Sequence, residues 1–271
     1  MRQWTVDAFA EHPFMGNPAA VVEPLEAWPD DGWMQALAAE NNHSETAFLR
    51  IGPDQARFDL RWFTPAKEVP LCGHATLAAA HTLWTELGNR AEVLTFDTAS
   101  GPLTIRRLGG GYEMDFPADP LKQVPVPAGL AEALGAEPVE AWESRYLIAV
   151  MADAGTVRNL RPRAGAVLPF GGGCLEQGQV VVAARTSSGE DHDVVDRFFG
   201  PGCGVEEDPA TGSARCGLAP LFSDKLGQAT LRFVQAYPGR GARFETEMRG
   251  DRVLIRGSAV TVIESRLRLS V

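Results

Sequence analysis

The segment Glu207-Asp208-Pro209-Ala210-Thr211-Gly212-Ser213-Ala214 has a counterpart in the first half of the chain, Glu68-Val69-Pro70-Leu71-Cys72-Gly73-His74-Ala75. Both segments read Glu-x-Pro-x-x-Gly-x-Ala, and each leads into an apolar stretch that ends in Leu-Gly, at 87–88 and at 226–227. A pattern of this length that occurs twice in one chain indicates two halves with the same topology.

Each of the two segments predicts the start of a helix, with a glycine near its N-terminus. A helix N-terminus has free N–H groups and a partial positive charge, so it binds anions. Gly73 and Gly212 would let a ligand come close to the backbone. The alternative is that both segments are only helix caps, because Thr211 and Ser213 are common N-cap types. The duplication, with different polar residues in the two copies, favours two helix starts that together would hold one carboxylate-bearing small molecule.

The composition limits the class of protein. The chain has 271 residues, enough for two domains, and its 45% hydrophobic and 22% charged residues are typical of a soluble globular protein. The net charge of −10 argues against nucleic-acid binding. No stretch reaches the roughly 18 apolar residues of a membrane span, and the first residues predict a strand and not a signal peptide. We therefore expect a cytoplasmic protein that binds neither nucleic acid nor membrane.

The sequence contains no pattern that is typical of a metal or cofactor site. The four cysteines are Cys72, Cys174, Cys203 and Cys216. They form no C-x-x-C pair, and no histidine stands at a zinc-ligand spacing from them. A disulfide is not expected in a cytosolic chain. Neither a G-x-G-x-x-G motif between a strand and a helix nor a Walker loop occurs. We expect no metal and no cofactor.

Short strand patterns and only two long apolar helices predict an α+β fold. We expect two topologically similar domains, each a curled β-sheet barrel around a central α-helix. The polar, proline-rich stretch 118–127 is the predicted connection between a domain at 1–117 and a domain at 128–271. This division leaves room for a terminal strand to cross over.

Three ionisable residues are candidates for catalysis. Glu45 lies where a helix ends and a strand begins, a position suited to acid–base work, although a solvated glutamate would fit the local sequence as well. His74 could relay a proton near neutral pH or serve only as a structural hydrogen-bonding group. Asp208 has Val69 as its counterpart, and an acid present in one copy alone favours function over fold. A position at a helix N-terminus would lower the pKa of the Cys72 thiol, although Cys72 fits the role of a small packing residue better than that of a base.

Several segments together resemble the PhzF family, the phenazine biosynthesis-like isomerases related in fold to diaminopimelate epimerase. They occur in order over most of the chain: Val6-Asp7-Ala8-Phe9, Gly16-Asn17-Pro18-Ala19-Ala20-Val21, Asn42-His43-Ser44-Glu45-Thr46-Ala47-Phe48, Cys72-Gly73-His74-Ala75-Thr76, Phe198-Phe199-Gly200-Pro201 and the segment from Glu207 to Ala214. The resemblance implies the same two-domain fold, a homodimer and chemistry without a cofactor.

The resemblance also implies an activity and a set of site residues. Glu45 would be the acid–base group that moves a proton between carbons of a small cyclic or unsaturated amino or hydroxy carboxylate. In phenazine producers that substrate is trans-2,3-dihydro-3-hydroxyanthranilate. His74 and Asp208 would be catalytic together with Glu45, and the substrate would be bound by Ser44, Gly73, Gly212 and Ser213.

Two other functions stay open at this point. One is an amino-acid racemase or epimerase, with Glu45 and either Cys72 or Asp208 as the pair of bases. Epimerases of this fold use two cysteines, one from each half, whereas here only Cys72 stands near such a place. The other is a non-catalytic member of the family that binds a carboxylate.

Overall fold

The structure is a computed structural model, and it describes residues 1–171 and 177–268. The described chain forms two compact units, one of Met1–Asp115 with Arg256–Val271 and one of Phe116–Ile255. The strands in the first half are β1 (Arg2–Ala8), β2 (Asn17–Val22), β3 (Glu45–Ile51), β4 (Arg57–Phe63), β5 (Glu68–Val69), β6 (Val93–Thr98), β7 (Gly101–Leu108), β8 (Gly111–Pro117) and β9 (Lys122–Val124). Those in the second half are β10 (Glu140–Glu143), β11 (Leu147–Val150), β12 (Val180–Arg185), β13 (Val194–Gly200), β14 (Val205–Asp208), β15 (Thr230–Gln235), β16 (Ala242–Arg249), β17 (Arg252–Gly257) and β18 (Ala259–Arg266). The α-helices are α1 (Asp31–Asn41), α2 (Gly73–His81), α3 (Leu130–Leu134), α4 (Ala154–Asn159) and α5 (Arg215–Leu226).

The first unit has its strands in the order β18-β1-β2-β3-β4-β6-β7. The β2–β3 and β4–β6 pairs are parallel and the others are antiparallel. Helix α1 follows β2, and α2 lies between β5 and β6. Asp30 caps α1 by accepting the N–H of Gly32, as a residue of this type does at an N-cap.

The second unit repeats this arrangement, with strands in the order β9-β10-β11-β12-β13-β15-β16. Its β11–β12 and β13–β15 pairs are parallel, at the same places as the parallel pairs of the first unit. Helix α4 follows β11, and α5 lies between β14 and β15. The predicted α+β fold with two halves of one topology is therefore confirmed. The stretch 118–127 falls in the second unit and contains β9, whereas the C-terminal strand β18 pairs in the first unit.

The central helix of the first unit is α2, which packs against β1, β2, β3 and β18. All its residues except Gly73 are buried, which explains why it is apolar or small on every side. The α-helix ends at His81, before the apolar stretch of the sequence ends at Leu87, because the chain turns into a π-helical segment at Thr82–Glu86. In the second unit, a 3₁₀ turn at Gly212–Ala214 precedes α5. No described helix combines the length and hydropathy needed to cross a bilayer.

Candidate active site

Glu45 and His74 are in contact within the first unit. Glu45 is the first residue of β3 and pairs with Ala19 of β2, and His74 is the second residue of α2. The Nε2 atom of His74 lies 3.1 Å from Oε2 of Glu45, and the two side chains are 7% and 17% exposed. The packing of α2 against β2 and β3 brings the two residues together although 28 positions separate them.

The atoms of this contact are buried but not satisfied. Within the described residues, neither Glu45 Oε2 nor His74 Nε2 has a partner with hydrogen-bond geometry. An unsatisfied buried polar atom is costly, so such atoms are rare unless they serve a further purpose. The arrangement leaves a carboxylate oxygen and a ring nitrogen that can exchange a proton with a third group placed between or beside them.

The other ring nitrogen of His74 is surrounded by polar side chains. Nδ1 lies 3.3 Å from Nδ2 of Asn17 and 3.5 Å from Sγ of Cys72. Asn17 is the first residue of β2 and is fully buried, and its Oδ1 accepts a 3.0 Å hydrogen bond from the hydroxyl of Ser44. Ser44, Asn17, His74 and Glu45 therefore form a continuous chain of polar groups.

The thiol of Cys72 does not have the lowered pKa that its place at a helix N-terminus predicts. Burial and the neighbouring Glu45 carboxylate raise the pKa of Cys72 to about 11, and the opposing effect of His74 is too small to reverse this. That expectation is wrong because Cys72 is buried, with 7% of the residue exposed, so a thiolate there would lose its stabilisation by solvent. The sulfur is thus a neutral thiol near pH 7.

The pKa of His74 is raised above its ordinary value. Burial lowers this pKa, but interactions with Cys72 and Glu45 outweigh burial. Since the Cys72 thiol is neutral near pH 7, the Glu45 carboxylate is the group that stabilises a positive ring at that pH. The pair can therefore hold one proton between carboxylate and imidazole.

Glu45, Cys72 and His74 offer ligand atoms within 4.8 Å of one another, which is close enough to consider a metal ion. However, the sulfur lies beside Nδ1 and the carboxylate beside Nε2, at opposite sides of one imidazole ring. A metal ion bound to Nδ1 would lie near the sulfur and away from the carboxylate, and an ion bound to Nε2 would lie near the carboxylate and away from the sulfur. In either case one of the three ligands would have to move to the other side of the ring. The geometry fits a hydrogen-bonded chain better than a tetrahedral metal centre.

The other predicted site residues, Asp208, Gly212 and Ser213, belong to the second unit. Asp208 ends β14, and its Oδ2 accepts a hydrogen bond from the hydroxyl of Thr211. Gln235 of β15 fixes this loop, because its amide donates to the Asp208 carbonyl and accepts the N–H of Thr211. The loop that carries the aspartate is therefore held by buried hydrogen bonds.

Ser213 lies in the 3₁₀ turn before α5, and its Oγ is 2.7 Å from the hydroxyl of Tyr146. Burial raises the pKa of Tyr146 to about 12, even though the bond to Ser213 lowers it, so the tyrosine keeps its proton. No side chain caps the start of this turn or the start of α2. Backbone N–H groups at Gly212 and at Gly73 thus lie at helix starts of the kind that bind anions.

Each unit thus holds part of the predicted set. The first contains Ser44, Glu45, Gly73 and His74, and the structure brings Ser44, Glu45 and His74 into one chain of contacts. The second contains the remaining three. Sequence reasoning did not include Asn17, Tyr146 or Gln235 among the site residues, since each acts on a partner far away in the sequence. Cys174 lies outside the described residues, and Cys72, Cys203 and Cys216 form no disulfide among those that are described.

Comparison with known proteins identifies the family. Residues 6–265 match the family model described as phenazine biosynthesis-like protein (PhzC-PhzF). An uncharacterized isomerase of Pseudomonas aeruginosa is 45% identical over 266 residues, which cover 97% of this chain and 97% of that protein. The crystal structure of a phenazine biosynthesis protein of the PhzF family from Enterococcus faecalis is 38% identical, with a TM-score of 0.92 over 99% of both chains.

A more distant structure shares the fold alone. A probable proline racemase from Agrobacterium radiobacter is 12% identical and has a TM-score of 0.63, covering 99% of this chain and 93% of that one. The family model matches nearly the whole chain, and relatives of this chain are named isomerases. The chain therefore belongs to the phenazine biosynthesis-like (PhzC-PhzF) family, and it is an isomerase of that family.

Proposed function

We propose that the protein moves a proton between two carbons of a small cyclic or unsaturated amino or hydroxy carboxylate, without a cofactor. The compound trans-2,3-dihydro-3-hydroxyanthranilate is the model for this substrate class. The observation that carries the proposal is the buried pair of Glu45 Oε2 and His74 Nε2, 3.1 Å apart and without other hydrogen-bond partners in the described chain. A general base needs an available oxygen of this kind within reach of the substrate.

In the proposed reaction Glu45 removes a proton from a carbon next to an unsaturated system. The electrons of the broken C–H bond form a new double bond, and the existing double bond shifts by one position. Glu45 then returns a proton to the carbon at the far end of that system, and any exchange of the carboxyl proton with solvent in between introduces deuterium. One carboxylate performs both transfers, so no atom is lost or gained and no redox partner is needed.

The remaining site residues would bind the substrate and stabilise its charge. His74 and Asp208 would hold the amino and hydroxyl groups, with the loop of Asp208 fixed by Gln235. The N–H groups near Gly73 and Gly212 would bind the carboxylate, since helix starts stabilise negative charge. Ser44 and Ser213 would complete the polar surroundings of the substrate.

The racemase alternative has weaker support. A two-base racemase needs a second base close to the substrate carbon, and Cys72 is the nearest candidate to Glu45. Burial and Glu45 raise the pKa of the Cys72 thiol to about 11, which leaves little thiolate near neutral pH. This observation favours a single carboxylate as the base.

NMR in deuterium oxide tests the proposal. Wild-type protein, in buffer with EDTA, is incubated with trans-2,3-dihydro-3-hydroxyanthranilate, and isomerisation and deuterium uptake are followed. We expect turnover by the wild type and a loss of roughly 10²- to 10⁴-fold in Glu45→Gln, as is typical when a general base is removed. Persistence of turnover in EDTA supports a reaction without a metal.

Glu113→Gln is a suitable control, because the Glu113 side chain is 14% exposed, close to the 17% of Glu45, and pairs with Arg256 away from His74. This variant should keep its turnover. Folded wild-type protein that does not convert the compound would remove that substrate. Deuterium at the α-carbon of an amino acid would instead support the racemase.

The resemblance to the PhzF family also supports a cytoplasmic homodimer as the active form. Size-exclusion chromatography with light scattering measures the mass directly. We expect twice the 29.2 kDa of one chain, and a monomer at the concentration of the activity assay would contradict this part of the proposal.

A further inference from the structure

Asn17 occupies a fully buried position between two of the predicted site residues. Its Nδ2 lies 3.3 Å from Nδ1 of His74, and its Oδ1 accepts the hydroxyl of Ser44 at 3.0 Å. A side-chain amide has a donor end and an acceptor end, so its orientation determines which role each neighbour takes. Asn17 therefore couples Ser44 to the imidazole.

The position of Glu45 determines which nitrogen of the neutral ring carries the proton. A bare Nε2 would place a lone pair 3.1 Å from a carboxylate oxygen, an unfavourable arrangement. With the proton on Nε2, Nδ1 becomes an acceptor, and the NH₂ group of Asn17 and the S–H group of Cys72 can both donate to it. The Ser44 hydroxyl then donates to Oδ1 of Asn17, so Ser44, Asn17 and His74 take consistent donor and acceptor roles.

We propose that Asn17 is a positioning residue that holds the proton of neutral His74 on Nε2, facing Glu45, with Ser44 fixing the orientation of its amide. The catalytic consequence rests on the proposed function, because it matters only if Glu45 is the base. In that case the Nε2–H group of His74 lies 3.1 Å from the carboxylate that accepts the substrate proton, and its positive end stabilises the ionised form of that carboxylate electrostatically.

The same amide accommodates the charged ring. When His74 binds a second proton, Nδ1 becomes a donor, and the amide has to turn over to present Oδ1. Its NH₂ group would then face Ser44, whose hydroxyl can accept as well as donate. Ser44 and Asn17 thus give Nδ1 a partner in both charge states of the ring.

Few other titratable groups surround the ring. Cys72 and Glu45 are the groups that act on it electrostatically. Of the strands packed against α2, β2 has no titratable side chain. On β1, Arg2 pairs with Glu23 and the buried Asp7 accepts the N–H of Phe14, and on β3, besides Glu45, Arg50 pairs with Asp59. On β18 the charged residues are Glu264 and Arg266, which are exposed.

NMR of protein labelled with ¹⁵N in histidine tests the proposal without substrate. The signals of His74 are identified by their absence in His74→Gln. On titration to about pH 10, the wild-type ring should lose its proton from Nδ1 and give the Nε2–H tautomer. Asn17→Asp places a carboxylate against Nδ1, so we expect the Nδ1–H tautomer and a deprotonation roughly 1–3 pH units higher.

Asn41→Asp is the matched control, since Asn41 also bonds side chains in the first unit but does not touch His74. It should leave the His74 spectrum unchanged. If Asn17→Asp does not fold, Ser44→Ala removes only the hydroxyl and should give a mixture of the two neutral tautomers. A wild-type ring that stays doubly protonated to about pH 10, or that has its neutral proton on Nδ1, would overturn the proposal.

The pH profile of kcat/KM gives the second measurement. One limb of this profile should reflect the titration of His74. In Asn17→Asp that limb should shift by the same number of pH units as the His74 deprotonation shifts in the NMR titration. A tautomer that changes as expected while no isomerase activity is found would leave the role of Asn17 intact and refute the proposed function. The two failures are therefore distinguishable.

Discussion

The buried ion pair between Asp196 and Arg215 should be among the most sensitive points of the second unit. Both side chains are fully buried, and the guanidinium donates to both carboxylate oxygens, at 2.5 and 2.7 Å. The Arg215 guanidinium also lies over the rings of Phe233 and Phe244, at 5.0 and 4.3 Å from their centroids. Arg215 starts α5 directly after the 3₁₀ turn that carries Ser213, so this pair fixes the start of the helix.

The two single substitutions should differ, because only one partner can lose its charge. Asp196→Asn leaves a buried guanidinium that cannot be deprotonated, and breaking a buried pair costs about 3–5 kcal/mol. At about 2–4 °C per kcal/mol, the thermal midpoint should fall by roughly 6–20 °C. Arg215→Met leaves the Asp196 carboxyl, whose pKa is raised by burial, and this group can bind a proton. The loss of unfolding free energy in Arg215→Met should therefore be smaller than in Asp196→Asn. This loss should decrease by up to about 1.4 kcal/mol for each unit by which the pH is lowered.

Thermal unfolding at pH 7.5 and pH 5.5 measures both effects. Asp97→Asn is the control, because Asp97 forms the same two-point contact with Arg57, but the two side chains are 36% and 48% exposed. Solvent screens this surface pair, so the control should leave the midpoint nearly unchanged. The reasoning is refuted if the control is as unstable as Asp196→Asn, or if Arg215→Met shows no dependence on pH.

Two further changes test the first unit. Burial lowers the pKa of His81 to about 4. Between about pH 6.5 and about pH 4, His81 is therefore protonated in the unfolded chain but neutral in the folded protein. Stability contributed through His81 should fall by about 2 kcal/mol between pH 7 and pH 5, and His81→Gln should lose this dependence in urea titrations. Gly16→Ala would place its Cβ 2.1 Å from the Ala8 carbonyl oxygen, whereas Gly88, at a similar φ of +68° against +62°, has no neighbour within 4 Å of an added Cβ. Gly88→Ala should cost about 1–2 kcal/mol of backbone strain. Gly16→Ala should lower the thermal midpoint clearly more than Gly88→Ala does, because β1, which contains Ala8, has to move to make room for the new Cβ.

The sequence predicted the features that depend on local or repeated patterns. The two Glu-x-Pro-x-x-Gly-x-Ala segments repeat, and the strand pairing of the two units repeats with them, including the positions of both parallel pairs. Asp30 stands directly before α1, it is of a residue type that favours an N-cap, and it caps that helix. Each of these features is determined by residues that are close together in the chain or by a comparison of the chain with itself.

The contacts that complete the candidate site could not be predicted in this way. Asn17 and His74 are 57 positions apart, and Tyr146 and Ser213 are 67 apart. Such pairs depend on which strand lies beside which helix, and no local pattern encodes this. Gly16 and Pro18 on either side of Asn17 predict a turn, and turns usually lie at the surface. The sequence therefore contains no sign that the Asn17 side chain is fully buried. The pKa of Cys72 was wrongly predicted for a related reason, because local position gives the helix end but not the depth of burial.

The differences between the two copies favour one base over two. A racemase that acts from both faces of a carbon needs a base in each half, and a duplicated fold could supply the same residue twice. Here the position of Cys72 is taken by Thr211 and that of His74 by Ser213, while Asp208 replaces Val69. In the first unit, the buried Glu45–His74 pair can hold a proton. In the second unit, Thr211 donates to Asp208, and Tyr146 keeps its proton, so these groups suit binding better than proton removal. In the proposed function, the common backbone gives each unit a helix start that can bind an anion, and the divergence of the side chains leaves Glu45 as the one carboxylate that takes the proton and returns it.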